Sequence, residues 1–204
     1  MIIKYIVGID EVGRGPLAGP VCVGLCAIKK DKLKESKRFF KNFKDSKKLS
    51  ENQRYLWLEK IKKAKENGLI FYTAQFASEK MIDKKGISFA IKFAMNKCLK
   101  LFNLKSENTQ ILLDGSLYAP VNFKNQKTII KGDEKELPIA LASIVAKIKR
   151  DEFMKQIAKK HSDYAFEVHK GYGTKAHIKV ILKKGPSKIH RMSFLKNILG
   201  RDKI

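Results

Sequence analysis

Two rhythms of apolar and polar positions alternate along the chain. Short apolar runs predict strands: one ending at Tyr5-Ile6-Val7, a second over Val21–Ala27, the alternating segment Leu69–Phe76, then Gln110–Leu113 and a short fifth, Lys127–Ile130. Between them, apolar residues recur at helical spacing. Tyr55, Leu58, Ile61 and Ala64 form one stripe, opened by a Ser50/Gln53 capping-box pattern and closed near Gly68. Ile87, Ala90, Ile91, Ala94, Met95, Cys98 and Leu99 form another, which reads as core packed on a sheet. Pro138 opens an unusually apolar helix, Ile139–Lys147, whose small residues let it lie close beneath the sheet; Lys147, Arg150 and Asp151 mark where it emerges. The lysine-rich stretch 29–44, with Phe39, Phe40 and Phe43, reads as a loop. Thr174 is the expected N-cap of a helix to about Lys184, ended by Gly185-Pro186, and Ser193 starts a last short helix.

Strands alternating with helices predict an α/β fold, and 204 residues suffice for one such domain. No repeat or low-complexity linker divides the chain, so residues 1–204 are expected to form a single domain, with about 164–204 as a helical appendage. No apolar run is long enough to cross a membrane and no secretory signal is evident, so a cytoplasmic protein without membrane contact is expected, as a monomer. Cys22, Cys26 and Cys98 lie in apolar segments without metal-ligand spacing and read as reduced core residues.

Charge changes the picture. The net charge of +24 points to a polyanionic partner, nucleic acid first, against the plainer reading of a generally lysine-rich surface. In so basic a chain an acidic pair at the end of an apolar strand stands out, and Asp10-Glu11 is such a pair. Side chains of consecutive strand residues point to opposite faces, so a shared site requires a turn just after Asp10, which Gly13 and Gly15 permit. Arg14, between them, carries a planar donor fork suited to phosphate or sugar oxygens. The plainer reading is a capped tight turn with Glu11 solvated. Gln110–Asp114-Gly115 repeats the design, an apolar strand ending in a carboxylate, although Asp-Gly after a strand is usually a turn.

The stretch Gly8-Ile9-Asp10-Glu11-Val12-Gly13-Arg14-Gly15-Pro16-Leu17-Ala18-Gly19-Pro20 closely resembles the signature of bacterial ribonuclease HII. Val12 departs from the usual alanine and is shared with the sister family ribonuclease HIII, whereas Arg14-Gly15-Pro16 and the near-immediate first strand favour HII. Asp45–Leu49, Asp114-Gly115, Lys131-Gly132-Asp133 with the Pro138 helix, and His169–Thr174 resemble further blocks of the family, so the likeness spans most of the chain. It implies a ribonuclease H-like mixed five-stranded sheet flanked by helices. It also implies hydrolysis of the RNA strand of RNA/DNA hybrids, and incision 5′ of single ribonucleotides embedded in duplex DNA, leaving 3′-hydroxyl and 5′-phosphate ends. Asp10, Glu11, Asp114 and Asp133 become the catalytic and metal-binding carboxylates, with Glu134 and Asp151 ranked below them. Such an oxygen cage suits Mg²⁺ or Mn²⁺, two ions per site. Gly13, Arg14, Gly15 and Tyr172 are the expected readers of the ribonucleotide, and Lys47 and Lys147 the expected phosphate contacts. Lys47 is equally readable as one of many solvated lysines, and Tyr172 as a structural tyrosine. The competing class is a basic RNA-binding protein without catalysis, which metal-dependent cleavage would exclude.

Overall fold

The computed structural model describes residues 2–41 and 49–200. Its centre is a five-stranded sheet of β1 (Tyr5–Val12), β2 (Val21–Lys29), β3 (Phe71–Ala77), β4 (Thr109–Asp114) and β5 (Gln126–Ile129), in spatial order β3-β2-β1-β4-β5. β1, β2 and β3 form an antiparallel meander, while β4 and β5 run parallel to β1, so the sheet is mixed as expected. Of the helices, α1 (Leu33–Phe39) lies where the lysine-rich stretch reads as loop, and α2 (Glu51–Glu66) carries the Ser50/Gln53 capping box. Then come α3 (Glu79–Lys85) and α4 (Ile87–Leu101), and after the sheet α5 (Gly132–Lys135), α6 (Leu137–Ala158), α7 (Phe166–His169), α8 (Lys175–Lys184) and α9 (Met192–Leu199). Among the described residues no helix is long and apolar enough to cross a membrane.

Strand alternation sorts the sheet into two faces. Val7, Ile9, Val23 and Leu25 pack with Ala90, Ala94, Met95 and Cys98 of α4. Cys22, Cys26 and Ile28 face the other way, against Leu141, Ile144, Val145 and Ile148 of α6 and Ile61 of α2. The second face contains two glycines that α6 requires. A Cβ on Gly8 would stand 2.1 Å from the Pro138 carbonyl carbon, and one on Gly24 would stand 2.1 Å from the Ala142 oxygen. The small residues of α6 and these two gaps in the sheet together seat the helix close beneath it.

α6 does not emerge at Lys147 but runs to Ala158, and Arg150 and Asp151 are buried. The reason is a set of acceptors remote in sequence: Arg150 Nε donates to the Pro20 carbonyl (3.0 Å) and Nη2 to that of Ala18 (3.2 Å). The C-terminal helices gather a satellite cluster of Met154, Ala158, Tyr164, Phe166, Ile181 and Leu195 around Ala18. Their connection to the 13–20 loop is direct, since Leu17 N–H donates to Gly171 O (2.8 Å) and Arg191 N–H to Leu17 O (2.8 Å). The three cysteines are free and buried, as expected of core thiols.

Candidate active site

Parallel register brings two carboxylates together. Ile9 of β1 pairs with Leu113 of β4, so the next residues, Asp10 and Asp114, stand side by side on one face at the C-terminal ends of neighbouring strands. That face is the one covered by α6, and the Ser143 hydroxyl hydrogen-bonds the Asp10 carboxyl. β1 does not turn directly after Asp10. It continues through Glu11 to Val12, and the chain turns at Gly13, whose φ of +89° is the left-handed region open to glycine. Glu11 is nevertheless exposed to the same space, because the cleft wraps around the strand's end: it is lined by Asp10, Glu11, Gly13, Arg14, Gly15, Asp114, Ser143, Lys147 and Tyr172, with Val12 and Arg54.

The electrostatics of this group favour a cation. Burial, foremost, pushes the Asp10 carboxyl up to about 8, and the charges of Glu11 and Asp114 push the same way, while Ser143 and the Glu11 amide oppose them. Burial also raises Glu11, against its ion pair with Arg14. Each carboxylate has a donor: Glu11 N–H to Asp10 Oδ1 (2.7 Å), Arg14 Nη1 to Glu11 Oε1 (3.1 Å), and Gly132 N–H to Asp114 Oδ1 (2.7 Å). Among the described residues no three His, Cys, Asp or Glu side chains already stand at ligating distance of one point. A cation would have to draw the carboxylates together, and the donor set, all carboxylate oxygen, fits Mg²⁺ or Mn²⁺.

Asp133 is not among the residues lining this cleft. Lys131 adopts the left-handed conformation (φ +55°) after β5, and Asp133 then enters the first turn of α5, buried, beside a separate depression lined by Lys37, Phe40 and Glu134. The residue of this block that reaches the cleft group is Gly132, through its amide. Lys147 lines the cleft, one turn of α6 beyond Ser143, with its Nζ 3.0 Å from Asp151 Oδ1. Arg54 of α2 approaches the other oxygen of Asp151 at 4.0 Å, so one buried carboxylate steadies two cations at the rim. Lys47 lies outside the described residues. Tyr172 is partly exposed in the cleft, with the Arg150 guanidinium 5.9 Å from its ring centroid.

Ser143 and Arg54 line the cleft and were missed by sequence reasoning. Ser143 had one signal, a lone hydroxyl in an otherwise apolar helix; Arg54 had none that separated it from the other basic residues.

This sheet order, with adjacent carboxylates at the ends of β1 and β4, is that of the ribonuclease H fold. The solved ribonuclease H2 from Pyrococcus horikoshii OT3 superposes with a TM-score of 0.72 at 22% identity, covering 98% of this chain and 100% of that one. Bst-RNase HIII in complex with Mn²⁺ superposes with a TM-score of 0.67 at 16% identity, covering 99% of this chain and 71% of that one. At the sequence level the ribonuclease HII family model matches residues 7–197. The ribonuclease HII of Caldicellulosiruptor bescii is 44% identical over 197 residues, 97% of this chain and 89% of the relative. The chain belongs to the ribonuclease HII family.

Proposed function

We propose that this protein hydrolyses the RNA strand of RNA/DNA hybrids and incises duplex DNA 5′ of single embedded ribonucleotides, leaving 3′-hydroxyl and 5′-phosphate ends. The observation that carries this reading is the shared cleft: carboxylates brought together by strand register, and beside them a glycine-arginine-glycine turn and an exposed tyrosine on a strongly basic chain. Asp10, Glu11 and Asp114 would hold two divalent ions, which supply activation of water and stabilisation of the leaving oxygen. Asp133, the fourth carboxylate of the family resemblance, stands next to the amide that fixes Asp114 and supports the set from there.

The chain's own residues do the rest. Ser143 orients Asp10 by hydrogen bonding, and Gly132 N–H orients Asp114. Lys147 and Arg54, spaced by Asp151, offer positive charge to the phosphates flanking the scissile bond. A carboxylate-bound cation acts on phosphodiesters of either nucleic acid, so discrimination must come from groups at the sugar, where the 2′-hydroxyl marks RNA. Gly13, Arg14 and Gly15 present backbone and a guanidinium there, and Tyr172 an aromatic face.

The test is a labelled DNA duplex containing one ribonucleotide, incubated with Mg²⁺ or Mn²⁺. A single cut on its 5′ side is expected. Binding without cleavage under either ion would instead make the protein a nucleic-acid-binding module.

A further inference from the structure

Two adjacent residues far along the chain hold both halves of the surface that faces the ribonucleotide. Arg191 is fully buried, yet among the described residues its guanidinium has no carboxylate in hydrogen-bonding reach; it donates to three main-chain carbonyls, Gly13 (Nη2, 2.6 Å), Arg14 (Nη1, 3.0 Å) and Gly19 (Nε, 2.9 Å). Charge-assisted bonds of this kind are stronger than neutral ones, and three in one planar fork fix the loop's orientation as well as its distance.

His190 acts on the other half through a chain of hydrogen bonds whose direction can be worked out. The Ser187 amide donates to His190 Nδ1 (2.8 Å), so that nitrogen is an acceptor and the ring proton sits on Nε2. His190 Nε2 lies 3.0 Å from His177 Nε2, which must therefore accept. His177 then carries its proton on Nδ1 and donates it to the Tyr172 carbonyl (2.9 Å). Every member is satisfied with both rings neutral, and a second proton on His177 would set its Nε2–H against that of His190; His190 Nδ1 also lies 2.9 Å from the Ser187 hydroxyl and 3.3 Å from the Ser187 carbonyl. Burial, first, holds both rings below the usual histidine range, with His169 adding to the effect at His177 and His177 at His190, in keeping with that arrangement. His169 stacks on His177 with centroids 4.2 Å apart and accepts from the Gly171 amide at 3.1 Å, completing the support of the Tyr172 turn.

We infer that Arg191 and His177, the latter oriented by His190, are positioning residues for ribonucleotide recognition: Arg191 sets the Gly13–Arg14 backbone and the His190–His177 relay sets Tyr172. This rests on the reading above that those two segments touch the ribonucleotide. None of these three residues lines the cleft, and none is placed at the carboxylates.

The experiment compares the parent with Arg191→Lys, His177→Asn and His177→Leu. Lysine keeps the charge but loses the fork. Asparagine places an amide nitrogen where Nδ1 stood, and leucine removes the donor. Steady-state kinetics on a duplex with one embedded ribonucleotide and on a uniform RNA/DNA hybrid are read beside Mn²⁺ affinity by calorimetry and thermal melts. Arg191→Lys and His177→Leu should lower kcat/KM on the single ribonucleotide by roughly tenfold to a hundredfold, the scale that a displacement of about 1 Å costs. They should lower it less on the uniform hybrid and leave Mn²⁺ affinity at the parent's value, and His177→Asn should recover most of the loss. Equal losses on both substrates, or no rescue by asparagine, would make these residues merely structural and overturn the inference. If Arg191→Lys lacks a cooperative melt, the two His177 variants decide alone. A parent that cuts neither substrate removes the functional reading itself, whereas a parent that cuts both with unaffected variants removes only this inference.

Discussion

Asp10 stands directly across from Gly24 on the adjoining antiparallel strand, and the side chain missing at Gly24 lets α6 bring Ser143 to the Asp10 carboxyl. Gly24→Ala would place a methyl 2.1 Å from the Ala142 oxygen, a contact that only displacement of the helix relieves. Destabilisation of about 1–3 kcal/mol is expected, the usual cost of overpacking, together with reduced cleavage because Ser143 moves with the helix. Chemical denaturation and a cleavage assay on the same preparation check it. An unchanged midpoint would show that the helix has slack the close contacts deny.

Asp10→Asn should abolish cleavage while leaving nucleic-acid binding close to that of the parent, since it removes a charged ligand without adding bulk. It should also raise the melting temperature in chelator, by an amount that grows as pH rises from about 4 and is complete above about 8. Across that window the unfolded Asp10 ionises from its ordinary 3.8 while the folded one, held at about 8 mainly by burial, with Glu11 and Asp114 pushing the same way, keeps its proton, a loss of stability that asparagine avoids. Added Mn²⁺ should erase or reverse that advantage. A variant that melts below the parent in chelator would contradict the account.

Asp114 and Asp133 can be separated by parallel substitutions to asparagine. Asp114 lines the cleft and repels Asp10, whereas Asp133 is buried beside a different depression. Asp114→Asn should therefore cost more in kcat than Asp133→Asn, with Mn²⁺ affinity following the same order. The reverse order would place Asp133 among the direct ligands.

The histidine relay predicts an acid limb in the stability profile. Burial and His177 hold His190 at about 4 in the folded chain, against an ordinary value of 6.5. Between those values the unfolded chain binds the proton and the folded chain refuses it. The relay's contribution is thus whole above pH 6.5 and is lost as pH falls from there to about 4. His190→Gln, which keeps a donor near Nε2 but cannot titrate, should show a shallower decline over that window in urea melts. Parallel profiles would exclude His190 as the source.

The sequence makes legible whatever strand and helix rhythm expresses locally. The sheet, the capping box at Ser50, the Pro138 helix and the carboxylates ending β1 and β4 all announce themselves within a few residues. Arg150 was misjudged for the opposite reason. A charge in a helix reads as exposure, and the Ala18 and Pro20 carbonyls that bury it lie 132 and 130 residues earlier. The short helix expected from Ser193 is present as α9, but its cap is remote: Asp83 of α3 accepts from the Met192 and Ser193 amides at 2.9 and 3.0 Å. The turn expected after Asp10 was unnecessary because the cleft curves around the end of β1. Which atoms of the Lys131–Asp133 block line the cleft was not legible: the left-handed conformation at Lys131 is local to the backbone, and it is the Gly132 amide that reaches Asp114.

The grip of Arg191 on Gly13 also has a bearing on biosynthesis. The two residues are 178 positions apart, so a nascent chain emerging from the ribosome can pair β1 with β4 long before the Gly13–Arg14 turn has its anchor. The paired carboxylates and the sheet would form first and the Gly13–Arg14 turn last. On the proposed function, a half-made chain would hold its carboxylates before the turn proposed to read the sugar has its anchor, and selectivity would come only when the final helices dock.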